Sequence, residues 1–232
     1  MLLVSISPGL SLLPVRKAIR GEYDRVGFSL SDNILGPCTL EGRFVRLEPL
    51  RARHAAALIE AGRGLDWAWM LGPLRSRQDV DRRIADGLQA EERNEEYAEY
   101  AFAVMLRRDG RVVGSTSYLA IVPKHRRAEI GSTWYSPDVW GTAVNPECKF
   151  LLLKHAFEDW GAVRVQLGTD ANNAHSQRAI LKLGAKFEGK LRNHGVRRDG
   201  SVRDAMLYSI ISSEWPSVKK GLEERIESFV GS

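Results

Sequence analysis

The sequence predicts one α/β domain, a mixed, twisted sheet of about seven strands flanked by helices. Three observations carry that reading. Period-two and period-four segments follow one another in the order βαα, βββ, α, β, α, ββ, α, the pattern of helices packed on a partly parallel sheet. Asp109-Gly110 and Asp199-Gly200 each separate two alternating apolar runs, so each marks a hairpin turn. One strand also runs through a loop of small residues into a capped helix, at EIGSTWYSPDVWGTAVNPE. Composition agrees. The 232 residues are 44% hydrophobic and 27% charged, which excludes a collagen-like, low-complexity or disordered chain. A chain of this length buries a core without disulfide or metal staples.

At about 150 residues per domain the chain carries half a domain to spare. Residues 1–37 account for it. They are rich in Ser, Gly, Leu and Pro without a period, and read as an irregular N-terminal extension to a domain spanning 38–232. The run TLEGRFVRLEPL alternates Phe44, Val45 and Leu47 with Arg43 and Arg46, as a strand does. Arg51 to Gly62 is a helix by propensity, closed by its glycine. Val80, Ile84 and Leu88 recur at spacing four and set a second helix over 78–94. The charged end EERNEEYAE reads as a solvated face. Tyr100–Leu106 and Arg111–Ile121 are the arms of the first hairpin, and Ala128–Tyr135 is the next strand. Asn145 suits an N-cap and Pro146 the first helical turn. From there to Trp160, Phe150, Leu153, Phe157 and Trp160 form one stripe, thickened by Cys148, Leu151, Leu152 and Ala156, so this helix is buried on most sides. Val163–Leu167 is a strand and Ser176–Leu183 a helix stopped by Gly184. Gly189–Arg197 and Ser201–Ser212 form the last hairpin, and Glu214–Phe229 is an amphipathic helix.

Charge and cysteine content narrow the function. Lys and Arg number 34 against 29 Asp and Glu, a surplus of +5. That suits an anionic ligand but is no nucleic-acid footprint. Cys38 and Cys148 stand far apart, outside any metal knuckle or disulfide framework, which points to a reducing cytoplasm. No run of about 18 apolar residues suggests a membrane span. The opening MLLVSISPGLSLL lacks a basic start and is broken by Pro8 and Gly9, so it does not read as a signal peptide.

The strand–loop–helix at Ala128–Glu147 is the most informative segment. A helix N-terminus offers free N–H groups and partial positive charge, and small residues let a diphosphate approach them. A plain strand–helix connection would use the same residues. Neither the dinucleotide GxGxxG nor a GKS/GKT loop is present.

These residues resemble the GNAT superfamily of acyl-CoA-dependent N-acyltransferases, in particular its RimJ/RimL-like branch. AEIGSTWYSPDVWGTAV is similar to the family's coenzyme A diphosphate loop. DANNAHSQRAILKLGAKFEG is similar to its Asn-x-x-Ser…Leu-Gly-x-x-x-Glu-Gly signature, through Asn173, Ser176, Leu183, Gly184, Glu188 and Gly189. LEGRFVRLEPL is like the branch's first strand. The resemblance covers roughly residues 38–215. It implies acetyl-CoA as co-substrate, with no metal. It implies that Trp134, Ser136, Trp140, Gly141, Thr142, Ala143, Val144, Asn173 and Ser176 contact the cofactor, and that Trp67, Trp69 and Met70 line the acceptor side. Two positions depart from the family. Asp138 stands where a basic or amide residue is usual, and Ile180 where many relatives have a proton-donating tyrosine.

The implied reaction is acyl transfer to a primary amine, of a protein N-terminus or a small molecule. An alkyl amine has a pKa near ~10 and must lose a proton for attack. Glu129, on the strand beside the loop, is the first candidate base; an outward-facing strand carboxylate is the plain alternative. His194 in LRNHGV is the second, set against a surface or structural histidine. Ser176 relays a proton to the departing thiolate or holds it. A backbone N–H on the strand through Trp134 would meet the thioester oxygen. Asn173 holds the cofactor arm, caps a turn, or both. Trp67 and Trp69 wall an acceptor or belong to the core. His54, His125, His155 and His175 have weaker claims. Lys124–Arg127 and Arg197-Arg198 read as solvated turns. A non-catalytic acyl-CoA sensor on the same fold is the alternative function, motivated by Asp138 and Ile180. A homodimer is possible, and neither nucleic acid nor a membrane is expected as a partner.

Overall fold

The computed structural model describes residues 38–70, 74–93, 99–197 and 199–230. The expected extension at 1–37, most of the acidic run near 91–99, and Arg198 lie outside the described residues. Eight strands form one sheet: β1 (Leu40–Glu41), β2 (Val45–Pro49), β3 (Tyr100–Leu106), β4 (Val112–Val122), β5 (Arg127–Tyr135), β6 (Arg164–Asp170), β7 (Lys186–Val196) and β8 (Val202–Ile211). Their order is β1-β2-β3-β4-β5-β6-β8-β7. Every neighbouring pair is antiparallel except β5–β6. The helices are α1 (Ala55–Ala61), α2 (Arg77–Arg93), α3 (Val144–Lys154), α4 (Ala174–Leu181) and α5 (Trp215–Glu227). A π-helical turn, His155–Asp159, extends α3.

The helices sort by their apolar residues onto the two faces. Leu152 and Leu153 of α3, Ile180 of α4, and Trp215 and Leu222 of α5 share one core with Val45, Tyr118, Ile130 and Leu167 of the sheet. Ala55 and Leu58 of α1 and Val80 and Ile84 of α2 share the other with Trp67 and Trp134. Burying each large aliphatic side chain contributes about 1.5–3 kcal/mol. Glu48, buried on β2, accepts from Arg53 at 2.6 Å and from the His54 ring at 3.2 Å, which ties the start of α1 to the sheet. The Arg53 guanidinium holds that carboxyl below its usual range.

The sheet has one strand more than the pattern of alternation implied. The run from Thr39 to Leu50 is a small hairpin, turned at Gly42 and closed by Gly42 N–H to Val45 O at 2.9 Å. Two-residue strands leave no periodic signal. The partner of that turn is Glu147, a buried carboxylate in the first turn of α3. It accepts from the N–H groups of Arg43, Phe44 and Val45, each at 2.7 Å. A Cβ at position 42 would overlap the Glu147 carboxyl, so glycine is required there.

Asn145 does not cap α3. The helix begins two residues earlier, with Ala143 as N-cap, and Thr142 Oγ1 accepts the Val144 N–H at 3.3 Å. Asn145 therefore lies inside the first turn. At the other end, the His155 ring sits between Cys38 Sγ at 3.4 Å and Asp159 Oδ2 at 2.8 Å, so this histidine fastens the start of β1 rather than filling the core. Among the described residues no helix is long and apolar enough to cross a membrane.

Replacing Glu147 with Ala should cost on the order of 3 kcal/mol, because three strand N–H groups lose a charged acceptor. Urea melts of the variant check this; a change under about 0.5 kcal/mol would show that the turn finds other partners.

Candidate active site

The site is set by where β5 stops pairing with β6. The two strands are in register only at Arg127↔Arg164, Ala128↔Val165 and Glu129↔Gln166. β6 then runs on beside β8 as far as Asp170↔Ala205. β5 turns away. Ser132 has φ 48°, and between the Ser117↔Gly131 and Ser115↔Trp134 pairs β5 carries one residue more than β4. This β-bulge bends the strand and reverses the alternation of its faces. Ile130 and Tyr135 consequently face the α3 side and Trp134 the α1 side. Residues 130–135 of β5 and 167–170 of β6 do not pair with one another, and the slot is this unpaired stretch between their backbone edges. Such edges bind an extended, amide-bearing chain as an added strand does.

The wide end of the slot meets the start of α3. The N–H groups of Gly141, Ala143 and Asn145 donate to no group among the described residues. They belong to the loop and first turn, where donors are free and the helix end is partially positive. Gly141 has φ 77°, a conformation that glycine adopts without strain, and a Cβ there would meet nothing within 4 Å. The side chains of Ala143 and Val144 are buried, so those residues offer only backbone. Trp140 is 59% exposed, anchored by Nε1 to Tyr135 O at 2.9 Å, and its ring lies 6.4 Å from that of His175 at the start of α4. The loop that leads into α3 thus lies beside the start of α4.

Asp138 is not an unmatched charge. Arg111, from the β3–β4 hairpin, donates to Asp138 Oδ2 at 2.6 Å, and Ser136 Oγ bonds its other oxygen. The guanidinium holds the Asp138 carboxyl below its usual range. Arg111 is half-exposed, and its charge and that of Asp138 offset each other at the loop's edge. The sequence reading missed it, because 27 residues separate the pair and nothing local signals the contact.

At the narrow end, Glu129 Oε2 accepts from Gln166 Nε2 at 2.8 Å, across the last paired residues. Its other oxygen lies 3.4 Å from where a Cβ would sit on Gly131 and on Gly168, so the two glycines keep room around the carboxylate. Glu129 is half-buried and, alternating with Ala128 and Ile130 of the α3-side core, lies on the opposite face of the sheet. On the same face, Ser117 Oγ donates to Glu99 Oε1 at 2.7 Å, and Arg83 from α2 bonds both. Glu99 is thereby neutralised by a cation. Glu129 has a neutral amide as its partner.

The remaining candidates fall in different places. Asn173 is the N-cap of α4, its Oδ1 accepting the Ser176 N–H at 3.0 Å. The Ser176 hydroxyl is half-buried with no hydrogen bond to the described residues. Trp134 N–H is turned toward β4 rather than the slot. Ser136 N–H donates to Val113 O of β4, and alternate N–H groups along a strand point the same way. By the same alternation the N–H group of Tyr135 points away from β4, toward the slot. Trp67 is core, 5% exposed and edge-on to Trp134 at 5.1 Å. Trp69 is 40% exposed and Met70 half-buried. His194 is exposed on β7, in an open groove with Lys190, Arg192, Asn193 and Asp204, two strands from the slot. Ile180 is buried in the core, as its apolar side chain dictates. Arg197, expected in a solvated turn, forms a two-bond ion pair with the buried Asp170 and clamps the β7–β8 hairpin to the end of β6.

A split sheet that ends on a helix N-terminus is the architecture of an acyltransferase fold. A family model described as an acetyltransferase (GNAT) domain matches residues 45–186, and the chain belongs to that family. The Bacillus subtilis (strain 168) protein named uncharacterized N-acetyltransferase YoaA is 32% identical over 106 residues, 45% of this chain and 59% of that protein. The chain thus matches about three-fifths of that curated relative's length. A crystal structure of a GCN5-related N-acetyltransferase from Brucella melitensis shares 28% identity at a TM-score of 0.74, covering 82% of this chain and 86% of that one. Mycobacterium smegmatis RimJ, solved in complex with CoA-disulfide, is alike in fold, with a TM-score of 0.67, 24% identity and coverage of 82% and 95%.

Gly141→Val should weaken coenzyme A binding about tenfold or more, since a β-branched residue resists a positive φ and shifts the loop N–H groups. Calorimetric titration with coenzyme A checks this; unchanged affinity would remove the loop from the site.

Proposed function

We propose that the protein is an acetyl-CoA-dependent N-acetyltransferase acting on a primary amine. The observation that carries the reading is the slot itself, open between two backbone edges, with free N–H groups at one end and a carboxylate at the other. Acetyl-CoA supplies the acetyl group as an activated thioester. The chain's residues fit such a donor. Gly141, Ala143 and Asn145 offer backbone N–H groups to its diphosphate. The edges of β5 and β6 suit its amide-bearing arm.

The chemistry then divides among few groups. Tyr135 N–H donates to the thioester oxygen as it gains charge. Glu129 takes the proton of the attacking amine, directly or through water. Its uncompensated charge also favours a cationic acceptor approaching from the α1–α2 face. The Ser176 hydroxyl holds the departing sulfur. Asp138 and Ile180 do not oppose catalysis. Arg111 answers the charge of the first, and the second only excludes a tyrosine acid. The acceptor is a protein N-terminus or a small amine.

Coenzyme A release over a panel of peptides and small amines, with mass spectrometry of products, tests the proposal. We expect turnover with at least one amine. Glu129→Gln should lower kcat about 100-fold while leaving stabilisation by coenzyme A intact. No release with any amine would sink the reading.

A further inference from the structure

Lys149 lies in α3 with its side chain under β5, and only 6% of it is exposed. Its Nζ donates to Thr133 Oγ1 at 2.6 Å and reaches Thr116 Oγ1 at 3.4 Å. The two hydroxyls lie 2.8 Å apart, and Thr133 Oγ1 is also 3.2 Å from Gly131 O. Among the described residues no carboxylate belongs to this cluster. Glu147, two residues away, is committed to the N–H groups of the β1–β2 turn. The titratable groups beside Lys149 are Cys148 and, bonded to it, Tyr135 on β5, both held neutral by burial. β2 and α5 face this core with Val45, Leu47, Val218 and Leu222.

An ammonium without a counter-ion in such a place is costly, and a methionine would fill the volume without that cost. Burial pushes its pKa down to about 8. What the lysine gains is position. Thr133 is the first residue past the Ser132 bulge, on the stretch of β5 that is not paired with β6. Lys149 therefore stands directly behind the stretch of β5 on which the acyl group would lie, in a low-dielectric core where charge acts strongly.

We propose that Lys149 is a positioning residue for acyl transfer, which holds the β5 bulge through Thr133 and sets a buried positive charge behind the slot. The inference rests on the acetyltransferase reading above. As the amine nitrogen bonds to the acyl carbon and the carbon–sulfur bond breaks, negative charge passes to the thioester oxygen and then to the thiolate. Lys149 keeps its proton throughout and lowers the cost of both charges.

The test uses the full chain with Lys149→Met, Lys149→Arg and Thr133→Val. For Lys149→Met we expect kcat to fall about 10- to 100-fold with the acetyl-CoA KM within about threefold. We also expect its Tm to rise at pH 7. The sign follows from linkage. The folded-state pKa lies below the unfolded one, so the buried charge penalises folding below about pH 8, and the penalty fades as pH climbs toward the unfolded value. The gain in Tm should therefore shrink by pH 10. Lys149→Arg should restore most of kcat and lose the decline of wild-type kcat above about pH 8. Thr133→Val should lower kcat in the same direction.

A second readout needs no acceptor. The thiol of bound coenzyme A, followed by thiolate absorbance, should titrate at least ~0.5 unit lower in the wild type than in Lys149→Met. Equal titration in the two proteins, or a Lys149→Met kcat within about twofold of wild type, would overturn the proposal alone. Wild-type protein that binds no coenzyme A would overturn the acetyltransferase reading with it.

Discussion

Three residue pairs join β5 to β6, and the site exists because the pairing ends there. A parallel pair closed along its whole length would leave a continuous sheet with no place for a chain-like ligand. The left-handed Ser132 ends it by adding one residue to β5 against β4. The same residue count turns Trp134 to the α1 core and Tyr135 to the α3 core, so the bulge also decides which aromatic supports which face. Glu129 sits at the closed end because it occupies the last paired position, and the start of α3 sits at the open end because β5 leads into it.

α3 carries two buried charges two residues apart, and they are satisfied in opposite ways. Glu147 collects three backbone N–H groups and welds the β1–β2 turn to the helix start. Among the described residues Lys149 donates only to hydroxyls. The first is strong structural economy, since charge-assisted bonds are among the better ones a fold can make. The second runs against stability, and that conflict with the surrounding apolar packing is the mark of a functional constraint.

Much of the fold was legible because it rests on local chemistry. Asp109-Gly110 and Asp199-Gly200 announce their hairpins, and the apolar stripe of α3 announces a buried helix. Asn173 reads as a cap and is one. What escaped depends on distance or on residues with no reputation for the role. Ser132 adopts a positive φ without being glycine. Gly42 looks like any residue of an alternating run until Glu147, far along the chain, is brought against it. Trp67 cannot be sorted between wall and core until Trp134 is seen beneath it. Arg111 and Lys149 carry no local signal, since nothing nearby in sequence names Asp138 or Thr133 as their partners. His194 has the chemistry of a base, but β7 holds it outward on the sheet's far edge.

The unpaired edges of β5 and β6 have a cellular consequence. A sheet edge left bare in the middle of a domain is a weak seam, and whatever fills it joins the two halves of the sheet. A ligand held at a hundred times its dissociation constant adds about 2.7 kcal/mol to stability. The amount of this protein that escapes proteolysis would then follow the supply of the small molecule that fits its slot.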